Sequence, residues 1–286
     1  MTDDRWGGAG PGAPGERGTT RCAPDWLALR EPADAAARAT ALLAPLREHL
    51  TGRPDGPDPA QSGPHEPRLV IRDLGCGTGS MARWLAPRLP VPQHWVLHDS
   101  DPHLLARASV AGAGVTFQTL EGDLTGLDLT GTSLLVTSAL LDLLTPAEVD
   151  TLAAACAAAG CPALLTLSVA GRVELTPEDP LDAEVAAAFD DHQRRGGLLG
   201  PDAVAFATRA FERRGAIVHR APSPWRLGRS EQALTGQWLR GWVAAAHQQD
   251  PRLPASDYTR RRLAALAAGE LRVVVHHTDL LAIGAR

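Results

Sequence analysis

The 286-residue chain contains no lysine and no asparagine. Every basic side chain other than histidine is an arginine, and because lysine and asparagine codons are AT-rich the absence points to a GC-rich genome more than to selection on function. It still removes some chemistry, since no site built on an Asp-Asn pair around a metal can be assembled. Cysteine is scarce: Cys22, Cys76, Cys156 and Cys161 have no metal-ligand spacing, which predicts reduced thiols in a cytoplasmic setting and no metal site. No apolar run is long enough to span a bilayer, and the Gly/Pro-rich start lacks the apolar core of a signal peptide. Positive charge is not in excess either. A net charge of −5 and an isoelectric point near 6.0 argue against a broad electrostatic footprint for nucleic acid.

What the chain does possess is the run Ile71-Arg-Asp-Leu-Gly-Cys-Gly-Thr-Gly-Ser80. Residues 68–71 ahead of it read as a strand and residues 81–86 carry helical spacing, so Gly75, Gly77 and Gly79 sit at a strand-to-helix junction. Glycine allows positive φ there and lets backbone N–H groups approach a ligand closely. The dinucleotide fingerprint Gly-x-Gly-x-x-Gly is a different pattern, and here the third glycine comes one residue early. Asp73 would repel a pyrophosphate, whereas it suits a cationic or hydrogen-bond-donating ligand.

Asp-x-Gly-x-Gly-x-Gly resembles motif I of the class I S-adenosylmethionine-dependent methyltransferases, closely over residues 67–170 and more weakly beyond. The resemblance implies an α/β fold: a Rossmann-like, doubly wound, seven-stranded and mostly parallel sheet. The last strand, within residues 271–283, would run antiparallel between those at 162–168 and 216–219. It also implies S-adenosylmethionine as cofactor, held by Asp73, Gly75, Cys76, Gly77 and Gly79. A second strand at 94–98 ends in Asp99 and Ser100, where the family's carboxylate accepts both hydrogen bonds of a ribose diol. A third at 115–120 leads to Gly122-Asp123-Leu124, the step at which a carboxylate meets the adenine amino group. A fourth at 133–137 is followed by Ser138 and Asp142, in the loop that touches the sulfonium region.

Pro/Gly-rich stretches divide the chain. Residues 1–20 read as a disordered tail, and 21–66 as a helical lid with a linker, the helix covering 26–50 with a break near Pro32. Residues 67–286 read as the methyltransferase domain, with substrate-cap insertions at 170–214 and 222–268. At this length the whole can form one unit. A lid over the cofactor would let Arg30 or Arg38 reach the cofactor carboxylate, although solvated helical arginines are the simpler expectation. Thr145 reads as the cap of a helix over 146–159.

In the first insertion, His192, Gln193, Arg194 and Arg195 are candidates to face substrate, against the plainer reading of a solvated helix end. In the second, Trp225 and Arg226 offer a stacking face and an anion clamp, or a rigid corner that seals the core. Trp238 and Trp242, four apart, read as core. His276 and His277 point to opposite faces of a strand and cannot share a metal.

Methyl transfer from a sulfonium is an in-line displacement in which positioning supplies much of the acceleration, and a general base is needed only where the acceptor must lose a proton. His192 is the first candidate for that base, with Asp142 and His247 behind it. Residues 138–141 lack the Asn/Asp-Pro-Pro-aromatic motif of base-amino DNA methyltransferases, and Ser138-Ala139 lacks the acids of an aminopropyl transferase. The expectation is a cytoplasmic enzyme acting on a small-molecule acceptor, with no nucleic acid or membrane partner and with Arg194, Trp225, Arg226 and His247 beside the substrate. The alternatives are a cofactor-binding regulatory module, or a methyltransferase of protein or RNA.

Overall fold

Strand β1 (Leu69–Leu74) forms where the apolar run precedes the glycine turn, and it feeds helix α3 (Ser80–Leu85) directly. A computed structural model describes residues 23–52, 69–89, 92–123 and 127–284. The expected tail, most of the linker, Cys22 and Leu124 lie outside the described residues. Ahead of β1 come α1 (Pro24–Ala37) and α2 (Leu43–Thr51). After α3 follow β2 (Gln93–Asp99), α4 (Pro102–Leu105), β3 (Val115–Glu121), β4 (Leu134–Ser138), α5 (Pro146–Ala159) and β5 (Ala163–Thr176). The remainder is α6 (Asp182–Gln193), α7 (Ala203–Glu212), β6 (Ala216–Pro222), β7 (Trp225–Leu227), α8 (Gln232–Gln249), α9 (Ala255–Ala267) and β8 (Arg272–Gly284).

The strands form one sheet in the order β3-β2-β1-β4-β5-β8-β6, with β7 pairing β8 off this path. Strands β1 to β5 are mutually parallel and β8 runs antiparallel between β5 and β6, as the resemblance implies. Among the described residues the count is eight rather than seven. The additional strand is the corner of the second insertion, where Trp225, Arg226 and Leu227 pair with Val275, Val274 and Val273.

Two boundaries differ from the sequence reading. β5 does not end near residue 168 but continues to Thr176, because Val173 to Thr176 find partners in Val275 to Arg272 across two register shifts. The lid helix does not break at Pro32. Proline forfeits the bond to the carbonyl four residues earlier and crowds it, and that residue, Ala28, lies on the exposed face of the helix. The chain turns instead at Arg38, whose ψ of 132° is extended. The Thr145 cap is present as a full capping box with Glu148, which satisfies two orphan donors of α5 reciprocally.

Three apolar clusters hold these layers. Leu46, Met81, Leu85, Trp95 and Leu97 fill the face under α2 and α3, and Val149, Leu152, Ala207 and Phe211 fill the opposite face under α5 and α7. A third cluster joins Trp225, Trp242, Tyr258 and Val273, with Trp26 and Trp238 packed against it. That cluster is the cap, and it packs α1, α6, α8 and α9 against one another and against β7 and the outer part of β8. Trp238 and Trp242 stack at 5.2 Å within it, in keeping with their reading as core.

Candidate functional site

Gly75, Gly77 and Gly79 all have positive φ, between 55° and 88°, which is the conformation the motif demands of them. At Gly79 an added Cβ would lie 2.8 Å from the Ser109 carbonyl oxygen, and at Gly77 it would meet Leu27 of α1 at 2.9 Å. The turn therefore needs glycine for its backbone and for the lid lying on it. The Gly79 N–H donates to the Cys76 carbonyl at 2.8 Å and the Cys76 N–H to the His98 carbonyl at 3.0 Å. These bonds fix the turn to the end of β2.

There Asp99 accepts from the Gly77 N–H at 2.8 Å and from the Asp101 N–H at 3.0 Å. Its carboxylate is thus oriented by two backbone donors, with Ser100 exposed beside it. Asp123 lies past the end of β3, exposed, and its charge acts on His98. Cys76 is buried, and burial raises its thiol pKa, so it is a packing residue of the turn and not a thiolate.

Asp73 is fully buried, and neither carboxylate oxygen has a hydrogen-bond partner. Burial pushes its pKa up to about 8, opposed by the charge of Arg38. Arg38 is itself 2% exposed, and burial lowers its pKa while Asp34, Asp73 and Asp279 act against that. One of its nitrogens donates to Ser80 Oγ at 3.3 Å and to Ser138 Oγ at 3.0 Å. Nε and Nη1 are buried without partners. The expectation that Arg38 is solvated is therefore overturned: its extended backbone ends α1 and sends the side chain inward, between the turn and the end of β4. Arg30 pairs with Asp34 at 2.9 and 3.2 Å.

Helix α1 is fastened over this turn by polar contacts on both sides. Glu31 accepts from Arg83 at 2.7 and 2.6 Å, and Arg83 also donates to the carbonyls of Thr78 and Ser109. The hydrogen bond to Arg83 holds the Glu31 carboxyl below its usual value. On the other side the Trp225 indole donates to Asp34 at 2.9 Å, with Arg30 5.0 Å over the same ring.

Beyond the turn, Asp142 follows β4, 8% exposed, with Oδ1 unpartnered. Burial lifts its pKa to about 6, with the charge of Arg30 pulling the other way. His277 is buried against Trp225 at 5.4 Å. Burial and Arg30 push its pKa down to about 3, so it is neutral. Ala139 and Leu167, at the ends of β4 and in β5, have φ of 52° and 57°. Such values in non-glycine residues concentrate at ligand crevices.

The structure brings Asp73, the three glycines, Asp99, Ser138 and Arg38 together. The candidates from the insertions lie apart from them. His192 is buried between α6 and α8 with Nε2 2.9 Å from Gln248 Oε1. Arg194 is exposed in ion pairs with Asp191 and Asp202, and Arg195 bonds Gln249. Trp225 seals the cap core, while Arg226 and His247 are exposed. Among the described residues no hydrogen bond or ion pair joins His192, Arg194, Arg226 or His247 to the turn. His276 pairs with Glu174 at 2.9 Å, away from His277, and among the described residues no cluster of His, Cys, Asp or Glu could hold a metal ion. No helix of the described residues is long and apolar enough to cross a membrane.

Sequence reasoning missed Asp34 and Asp279 and set Arg38 aside. Asp279 had a signal, being the one acid of its strand and lying directly before the apolar Leu280-Leu281-Ala-Ile283. Arg38 had none.

Residues 71–162 match the model of a family described as a methyltransferase domain, so the class I methyltransferase resemblance is met over that stretch. No curated protein matches the chain. Among solved structures, the cyclopropane synthase MmaA2 from Mycobacterium tuberculosis is similar at 13% identity and a TM-score of 0.44, covering 85% of this chain and 84% of that one. Haemonchus contortus phospholethanolamine N-methyltransferase 2, in complex with phosphomonomethylethanolamine and S-adenosylhomocysteine, shares 14% identity with a TM-score of 0.44, over 93% of this chain and 58% of that one. A geranyl diphosphate methyltransferase in complex with S-adenosylmethionine shares 12% at a TM-score of 0.40, over 96% and 93%.

Proposed function

We propose that this protein transfers a methyl group from S-adenosylmethionine to a small-molecule acceptor. The observation that carries the reading is the buried pair at the glycine turn: Asp73 with two unpartnered oxygens and Arg38 with two unpartnered nitrogens. A buried charge without hydrogen bonds is costly, and the amino acid end of the cofactor has the complementary groups, an ammonium for Asp73 and a carboxylate for Arg38. Asp99, already oriented by Gly77 and Asp101, is placed to accept from the ribose hydroxyls. Asp123 is the candidate for the adenine amino group, and Ser138 lines the side toward the acceptor. When bound, the cofactor supplies an activated methyl on a sulfonium.

The chain's own residues then orient the acceptor and manage its proton. Asp142 is favoured over His192 as the base, because its free oxygen lies in the loop after β4, whereas His192 Nε2 is committed to Gln248.

The test is calorimetric titration with S-adenosylhomocysteine. Wild type should bind, and Asp99→Ala should bind at least tenfold more weakly, about 1.4 kcal/mol, as expected for losing charged hydrogen bonds. Unchanged affinity in a folded variant would remove the ribose assignment. Radiolabel transfer from the cofactor to a metabolite panel then separates a transferase from a module that only binds.

A further inference from the structure

We propose that Asp279 is a positioning residue that couples the seating of α1 to both edges of the ligand crevice. It sits on β8, 1% exposed, where an acidic side chain is costly to bury unless its oxygens are hydrogen-bonded. Three donors reach it. Oδ2 accepts from the Ala39 N–H at 2.8 Å; Oδ1 accepts from the Leu167 N–H at 2.7 Å and from the Ser223 hydroxyl at 2.5 Å.

Each donor belongs to a different part of the crevice. Ala39 is the first residue past the turn that ends α1, directly after Arg38, whose guanidinium also faces Asp279. Leu167 is a left-handed leucine at the register shift of β5, a conformation disfavoured for a residue with a Cβ, and its N–H donates to the carboxylate. Ser223 opens the corner into β7, two residues before Trp225. Because the Trp225 indole bonds Asp34 of α1, the contacts close a circuit: Asp279 to Ala39, along α1 to Asp34, across to Trp225, and back through Ser223. Displacing α1 therefore loosens the hinge and the corner into β7 together, and Arg38 moves with the hinge.

Two variants separate this from a purely structural role. Asp279→Asn keeps the shape, but its amide nitrogen must face one of the two backbone donors. Ala39→Pro deletes the hinge donor and sets the ring Cδ where the N–H pointed, so Asp279 Oδ2 must also draw back, while the backbone is otherwise compatible, Ala39 having φ −74° and Arg38 before it being extended. Native-state amide exchange, read without any ligand, should show residues 24–37 exchanging at least tenfold faster in both variants. Protection in β5 and β8 should be retained in Ala39→Pro.

The affinity arm rests on the proposed cofactor site: S-adenosylhomocysteine should bind at least tenfold more weakly to Ala39→Pro. If exchange in 24–37 is unchanged in Ala39→Pro, or protection falls across the whole sheet together, the coupling is overturned. Accelerated exchange with unchanged affinity in that variant overturns the link from hinge to site. Failure of wild type to bind S-adenosylhomocysteine would instead overturn the cofactor reading, while the exchange result would still decide the role of Asp279.

Discussion

Asp73 is held as a protonated carboxyl far above its ordinary ionisation range, and the consequence is measurable. Burial lifts it to about 8, whereas in the unfolded chain it returns to its ordinary value of 3.8. Between those values the native protein holds a proton that the unfolded chain has released, so stability falls as pH rises through the interval and the loss is complete once the native group ionises. The buried histidines His98, His192 and His277, all held below 6.5 by burial, act in the opposite sense, but only below that pH. The window from 6.5 to 8 therefore lies mostly above the histidines and is dominated by carboxyls that burial lifts, Asp73 before Asp142. Urea titrations across it should show the free protein losing roughly 1.5 kcal/mol, and Asp73→Asn should flatten the slope; an equal slope in both would refute a protonated Asp73. The need for an acid at this position was legible in the sequence, because its spacing from three glycines is a chemical requirement. Arg38 was not. Whether a helical arginine is solvated or buried depends on where the helix stops, and that was settled by the extended turn at Arg38 and by serines 42 and 100 residues away.

Helix α1 shows how burial, not bond length, ranks the contacts of an element. Its shortest ion pair, Glu31 with Arg83 at 2.6 Å, joins side chains about a third exposed, and such pairs contribute about 0–1 kcal/mol. The longer bond from the Trp225 indole to Asp34 is buried, and hydrogen bonds to charged groups in that setting contribute about 1.5–3 kcal/mol. Trp225→Phe should therefore destabilise the protein by about 2 kcal/mol in chemical denaturation and Glu31→Ala by less than about 1 kcal/mol. The reverse order would mean that the lid is fastened from the α3 side. Strands and α5 were readable because apolar alternation and a cap are local signals. The length of β5 was not, since Val173 to Thr176 become strand only through partners in β8 a hundred residues on. The unbroken passage of α1 through Pro32 likewise depended on which way that face of the helix turned.

For the molecule as a whole, the sheet order puts the glycine turn at the switch between β1 and β4, where strands run outward in both directions and open α/β sheets bind ligands. That order came from the resemblance; strand periodicity alone gives no neighbours. The cap cluster binds α1, β7 and α8 into one core, and α1 rests on the glycine turn through Leu27, so a ligand held between the turn and α1 should stabilise the cap together with the sheet and not one loop alone. Linkage sets the size of the effect: at a hundred times its dissociation constant a ligand adds about 2.7 kcal/mol, which for a chain of this length raises Tm by roughly 5–10 °C. S-adenosylhomocysteine at that excess should produce such a shift. NAD at the same concentration should leave Tm within about 1 °C, because its pyrophosphate would face the Asp73 carboxyl in a turn whose third glycine arrives one residue early for phosphate binding. A shift with NAD as large as with S-adenosylhomocysteine would show that the turn reads the adenosine shared by the two and nothing of the amino acid end, and the pairing of Asp73 and Arg38 with that end would have to be abandoned.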